Sequence, residues 1–150
     1  MRNTLLVLHL IGVAVWLGGN VVLAFAGPRT ASAPAAARLW WAQTQGAMAR
    51  VLYNVAGILV LLTGVGMVLE NDVIEFSDTF VTIGFVAVII GAVLGMAVFG
   101  PGSRRLTAAI ESGDEAGEKS INNRLAAFGL LDTLVVVFTI AAMVGAWGLG

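Results

Sequence analysis

Four runs of apolar residues, each about as long as a hydrocarbon layer is thick, decide what this chain can fold into. A helix needs about 20 mostly apolar residues to cross the bilayer core, and residues 4–26, 52–69, 80–99 and 125–147 meet that measure. In lipid the backbone must satisfy its own hydrogen bonds, so such runs become helices. They take up more than half of the 150 residues. The expected fold is therefore all-α: a polytopic membrane protein whose single domain is a four-transmembrane-helix, up-down-up-down bundle with short cytoplasmic amphipathic helices. Only 11% of residues are charged, against about a quarter in soluble domains, which excludes an ordinary water-soluble globule and a disordered tail. Cysteine is absent, which removes disulfides, thiolate metal sites, cysteine nucleophiles and covalently attached c-type haem. A net charge of −1 gives nucleic acid nothing to bind. The first apolar run is too long for a signal-peptide core and ends at Gly27-Pro28 without a small-x-small site, so it reads as a retained span.

Lysine and arginine set the orientation. Arg29, Arg38 and Arg50 lie between the first two spans or at the mouth of the second, and Arg104, Arg105, Lys119 and Arg124 between the last two. The opposite side has Arg2 alone, and its short loop carries Glu70, Asp72, Glu75 and Asp78. Both termini are thus expected outside a bacterial-type cytoplasmic (inner) membrane, with the two long loops inside. Ser32 and Pro34 suit a helix start, so the second helix is expected to begin well before the membrane. Pro101-Gly102-Ser103 is expected to break the third span, with a short helix to Ser112 stopped by Gly113. The segments Phe25-Ala26-Gly27-Pro28-Arg29 and Phe99-Gly100-Pro101-Gly102-Ser103-Arg104 echo each other and hint at two hairpins related by a parallel repeat.

Function must then come from the few polar groups at membrane depth. His9, the only histidine, shares a helix face with Gly12, Val13, Trp16, Gly19 and Asn20. Small residues there let a helix or a flat ligand approach the backbone. Three roles compete for His9: a neutral imidazole bonded to another helix, an axial haem ligand, or a copper ligand with thioethers. Depth counting puts Thr63, Gly64, Met67 and Met143 near it. Without a second histidine, bis-histidine haem within one chain is excluded, leaving His–Met, histidine-only or histidine-plus-oxygen ligation. Asp132 lies two turns into the fourth span, and Arg50 is the expected cation for it, either as a structural pair between spans two and four or as part of a proton or ligand path. Tyr53 and Asn54 extend that polar patch, and Asn20 and Thr63 suit interhelical hydrogen bonds. His9 and Asp132 differ in depth by roughly 13 Å at 1.5 Å per residue, too far to touch.

Leu8-His9 followed by Trp16-Leu17-Gly18-Gly19, then Met48-Ala49-Arg50-Val51-Leu52-Tyr53 and Thr63-Gly64, resembles the CopD-like superfamily. That group includes copper-resistance D-type proteins, small uncharacterised membrane proteins and the related HemJ-type protoporphyrinogen oxidases, four-helix proteins that bind haem b. The resemblance implies that His9 matches the haem-ligand histidine of the HemJ type and Arg50 its second-helix arginine. The lysine and histidine of the HemJ third helix have no counterpart in residues 79–99. The copper-resistance D-type proteins are also larger and richer in histidine and methionine. Two functions follow as expectations. One is a b-type haem or porphyrin site with His9, Trp16, Gly19, Arg50 and Tyr53 as contacts and Met143 or Met67 as second ligand, serving electron transfer or porphyrin oxidation; copper handling through His9 and the methionines is its variant. The other is a cofactor-free accessory subunit packed against membrane-protein partners or further copies of itself.

Overall fold

The computed structural model describes residues 2–148. It is helical almost throughout: α1 (Arg2–Thr30), α2 (Ala35–Ala47), a π turn (Met48–Leu52), α3 (Tyr53–Leu69), α4 (Thr79–Leu94), a second π turn (Gly95–Phe99), α5 (Gly100–Ser112) and α6 (Glu115–Gly148). The π turns join their neighbours without a gap, so four helical runs result, each long and apolar enough to cross a membrane. The predicted spans fall inside these runs.

Two breaks are placed differently from the sequence expectation. Pro101 does not stop the third run. Its ring lacks an N–H and would press on the carbonyl four residues back in a regular α-helix. The π turn ahead of it closes instead with Gly100 N–H bonded to the Gly95 carbonyl, a wider turn that lets the helix continue. Pro28 likewise lies inside α1, two residues before its end, where the Arg29 guanidinium takes up the Phe25 carbonyl at 2.8 Å. The proline echo therefore ends one helix and is absorbed in the other. Ser32 is not the cap of α2: Pro34 holds that position, its carbonyl accepting from Ala37 and Arg38.

Polar and apolar residues are distributed as a lipid solvent would require. Leu62, Ile89, Leu130 and Phe138 are each more than half exposed, whereas His9, Asn20, Thr63 and Asp132 are buried. The buried face of α1 is His9, Gly12, Trp16, Gly19 and Asn20, the face that helical periodicity picks out. It lies along α3 at glycine-set distance. Leu5 meets Gly66, His9 meets Gly64, Gly12 meets Ala56 and Val60, and Gly19 meets Leu52 and Tyr53. Rising numbers on α1 meet falling numbers on α3. Trp16, Ala56 and Val136 form one packing centre, joining α1, α3 and α6. A second, Ala42, Leu106 and Ile110 with Leu125 beside them, joins α2, α5 and α6, and Arg38 and Glu118 form an ion pair on its flank, Nε to Oε1 2.9 Å.

Gly113 ends α5 at φ +71°, the left-handed region where a Cβ is strained. Its N–H bonds Ile110 O and the next, of Asp114, bonds Ala109 O, closing the helix before Asp114 Oδ1 accepts from Gly117 N–H to open α6. Gly113→Ala should cost about 1 kcal/mol, read as a lower midpoint in thermal unfolding followed by circular dichroism in detergent. An unchanged midpoint would show that this turn does not set the angle between α5 and α6.

Candidate functional site

Two separate polar clusters lie inside the bundle. The first centres on His9. Its Nδ1 is 3.1 Å from the Val60 carbonyl and 3.0 Å from Thr63 Oγ1. A carbonyl can only accept, and the single Thr63 hydroxyl proton is turned to the Leu59 carbonyl at 2.6 Å. Both neighbours of Nδ1 are therefore acceptors, so in the neutral ring the proton sits on Nδ1 and Nε2 carries the lone pair. The ring is held in one orientation by α3.

The second cluster joins three helices. Trp16 Nε1 and Asn20 Nδ2, both on α1, donate to Asp132 Oδ2 of α6 at 2.9 and 2.8 Å. Tyr53 of α3 donates its hydroxyl to Asn20 Oδ1 at 2.8 Å. Asp132 is 2% exposed. Glycine makes the room: a Cβ at Gly19 would stand 2.8 Å from the Tyr53 hydroxyl, and one at Gly91 would overlap the Trp16 ring. In water such bonds add little, but in hydrocarbon an unpaired polar group has no alternative partner.

This arrangement corrects several expectations. Arg50 does not pair with Asp132. Its side chain is exposed, and its Nε turns back to the Gly46 carbonyl at 3.2 Å; among the described residues the one ion pair is Arg38–Glu118. Asp132 Oδ2 accepts from the neutral donors of α1 instead, Trp16 and Asn20. Trp16, Gly19 and Tyr53, expected around a cofactor, belong to this hydrogen-bonded cluster. Asn54 is exposed and bonds the Arg50 carbonyl within its own helix. The methyl of Met143 occupies the space a Cβ at Gly84 of α4 would need. Met67 lies one turn beyond Thr63 on α3, the helix that holds His9. Asn20 and Thr63 do bridge helices.

Arg50 faces a different neighbour. With Gln43, Gly46, Gly100, Ser103, Arg104 and Thr107 it lines a cavity of about 130 Å³ between α2 and α5. A second, wider recess of about 400 Å³ opens outward between α4 and α6, bordered by Thr82, Val86, Leu134 and Phe138 among others. His9 lines neither. Among the described residues no three His, Asp or Glu side chains gather in a group that could hold a metal.

The fold and these clusters define an all-helical protein of the multi-pass membrane class. Comparison with protein-family models, with curated proteins and with solved structures finds no match.

Proposed function

We propose that this chain is a multi-pass structural subunit of the cytoplasmic membrane, acting through its packing against other membrane proteins or further copies of itself. Its four helices run up-down-up-down with both termini outside, as the arginine-rich loops suggest, and α2 and α5 are short amphipathic helices on the cytoplasmic face. One observation carries this reading: the polar groups buried between α1, α3 and α6 are engaged with one another. His9 is bonded to Val60 and Thr63, Trp16 and Asn20 to Asp132, and Tyr53 to Asn20. Such bonds fix which helix lies beside which and at what height. They are the work of residues that build a framework.

A b-type haem at His9 is a second reading, favoured by the lone pair on Nε2. Hydrogen bonding of Nδ1 to a backbone carbonyl is the support that ligating histidines use. The donor suits iron, but the space does not. Contacts of Gly12 with Val60 and of Gly66 with Leu5 close the α1–α3 seam on both sides of the ring, so no porphyrin lies within it. A haem would need a face supplied by another chain, and Arg50 and Tyr53, turned to other partners, would not contact it. The chemistry of electron transfer or porphyrin oxidation would then be that of the iron. Copper shared by His9 and Met67 has the same open nitrogen in its favour.

The two readings separate in one preparation of the full chain, extracted in mild detergent from cells supplied with haem precursors and copper. The structural reading expects no Soret band and no stoichiometric copper. It also expects His9→Ala to lower unfolding stability by about 1 kcal/mol, since interhelical bonds in membranes average about 0.6 kcal/mol and the substitution leaves no buried donor stranded. A Soret band lost in His9→Ala overturns it in favour of haem; copper lost in both His9→Ala and Met67→Ala overturns it in favour of metal handling.

A further inference from the structure

We infer that the cavity between α2 and α5 is a phosphate-binding site, filled by the headgroup phosphate of an anionic phospholipid. Arg50 and Arg104 both line this space of about 130 Å³, and no carboxylate lines it with them. Two guanidinium groups on one small cavity repel each other unless an anion lies between them. Neither is spent elsewhere in an ion pair among the described residues, where Arg38–Glu118 is the one such pair. Arg50 uses only its Nε internally, on the Gly46 carbonyl, so the two terminal nitrogens remain as donors, in the fork that suits phosphate oxygens.

The other lining groups fit the same ligand. Gln43 offers an amide N–H. Ser103 and Thr107 donate their hydroxyl protons to the Gly100 and Ser103 carbonyls at 3.1 and 3.0 Å, so they border the cavity without competing for its arginines. Gly46 holds α2 against α5: a Cβ there would stand 2.9 Å from Ser103 Oγ. Both π turns lead into this place, one ending two residues after Arg50 and the other just before Gly100. They shift the register so that Arg50 and Arg104 come to the same cavity.

The surroundings favour a lipid over a free ion. Val51, next to Arg50, is 65% exposed and Met96, four residues before Gly100 of the cavity wall, is 74% exposed. A phosphate held by the arginines would leave its acyl chains lying along these apolar residues, at the height where basic pockets between membrane helices take lipid headgroups.

The test uses the full chain in dodecyl maltoside, with native mass spectrometry to count bound lipid. The probes are dioleoyl phosphatidylglycerol, dioleoyl phosphatidylcholine and inorganic phosphate. The proposal expects one phosphatidylglycerol retained in preference to phosphatidylcholine, with affinity falling about tenfold or more in Arg50→Gln/Arg104→Gln and unchanged in Arg105→Gln. Because removal of two arginines can disturb folding, Thr107→Glu serves as a second variant: its carboxylate occupies the cavity wall and should abolish binding while the helical signal is kept. Inorganic phosphate that binds the wild type and not these variants, where phosphatidylglycerol shows no preference, keeps the phosphate site but makes its source a free ion. Equal retention of all probes by wild type and variants overturns the proposal. None of these outcomes depends on whether His9 carries haem.

Discussion

Asp132→Ala is expected to destabilise the protein by about 3 kcal/mol, the largest loss from any single side chain here. The substitution removes an acceptor that two buried donors share, leaving Trp16 Nε1 and Asn20 Nδ2 without partners. A stranded buried donor costs about 1–3 kcal/mol, and lipid has no water to relieve it. Asp132→Asn keeps one carbonyl oxygen where Oδ2 now stands and should lose about 1 kcal/mol or less. The measurement is equilibrium unfolding in mixed detergent micelles, with Trp16→Phe as a cycle partner. Trp16→Phe alone removes a donor and should cost about 1 kcal/mol; in the Asp132→Ala background that cost should vanish, since the bond is already gone. Arg50→Gln should leave stability within about 0.5 kcal/mol, as expected of an exposed group. Were Arg50 the true partner, its removal would strand a buried charge and cost about 3–5 kcal/mol. Equal stability of Asp132→Ala and wild type would mean that these three helices are held by packing alone.

This contrast shows where sequence reasoning reaches and where it stops. The spans were legible because hydropathy sums over some twenty residues and tolerates local error. The buried face of α1 was legible because a 3.6-residue period fixes which side chains share a side. Azimuth was not legible. Counting along helices places Arg50 on the same cytoplasmic half as Asp132, yet says nothing of which way either side chain turns about its axis. Arg50 turns toward α5 and Asp132 toward α1. The tryptophan carried a signal that charge obscured: a buried indole N–H usually needs an acceptor, and Asp132 is a buried acceptor on α6, which also packs against the Trp16 cluster. The π turns were invisible because they are a register slip in the backbone, and Pro101 alone reads as a break. For the same reason the meeting of Arg50 with Arg104 could not be foreseen from spacing.

The second large effect is expected at Gly91, where no polar atom is involved. The Trp16 ring lies between α3 and α4, with its Cζ3 3.8 Å from where a Cβ on Gly57 would be and its six-membered ring against the backbone of Gly91. The indole cannot retreat, because its Nε1 is tied to Asp132 at 2.9 Å and the ring is 8% exposed. Gly91→Ala must therefore press α4 and the indole apart and pull the ring off its acceptor. Overpacking of a filled interior costs about 1–3 kcal/mol, and loss of the Trp16 bond adds about 1 kcal/mol, so a total of about 2–4 kcal/mol is expected. Gly84→Ala is the control of equal chemistry: its methyl meets only the mobile end of Met143 at 2.7 Å, and a thioether chain can swing aside, so the change should stay below about 1 kcal/mol. Gly18→Ala meets nothing within 4 Å and should stabilise its helix by about 0.5–1 kcal/mol. The decisive comparison is Gly91→Ala combined with Trp16→Leu. If the clash is with the indole, the pair is no less stable than Trp16→Leu alone, because the ring that resisted the methyl is gone. Additive losses in that double variant would place the obstruction in the backbone of α4 and detach Gly91 from the Asp132 cluster.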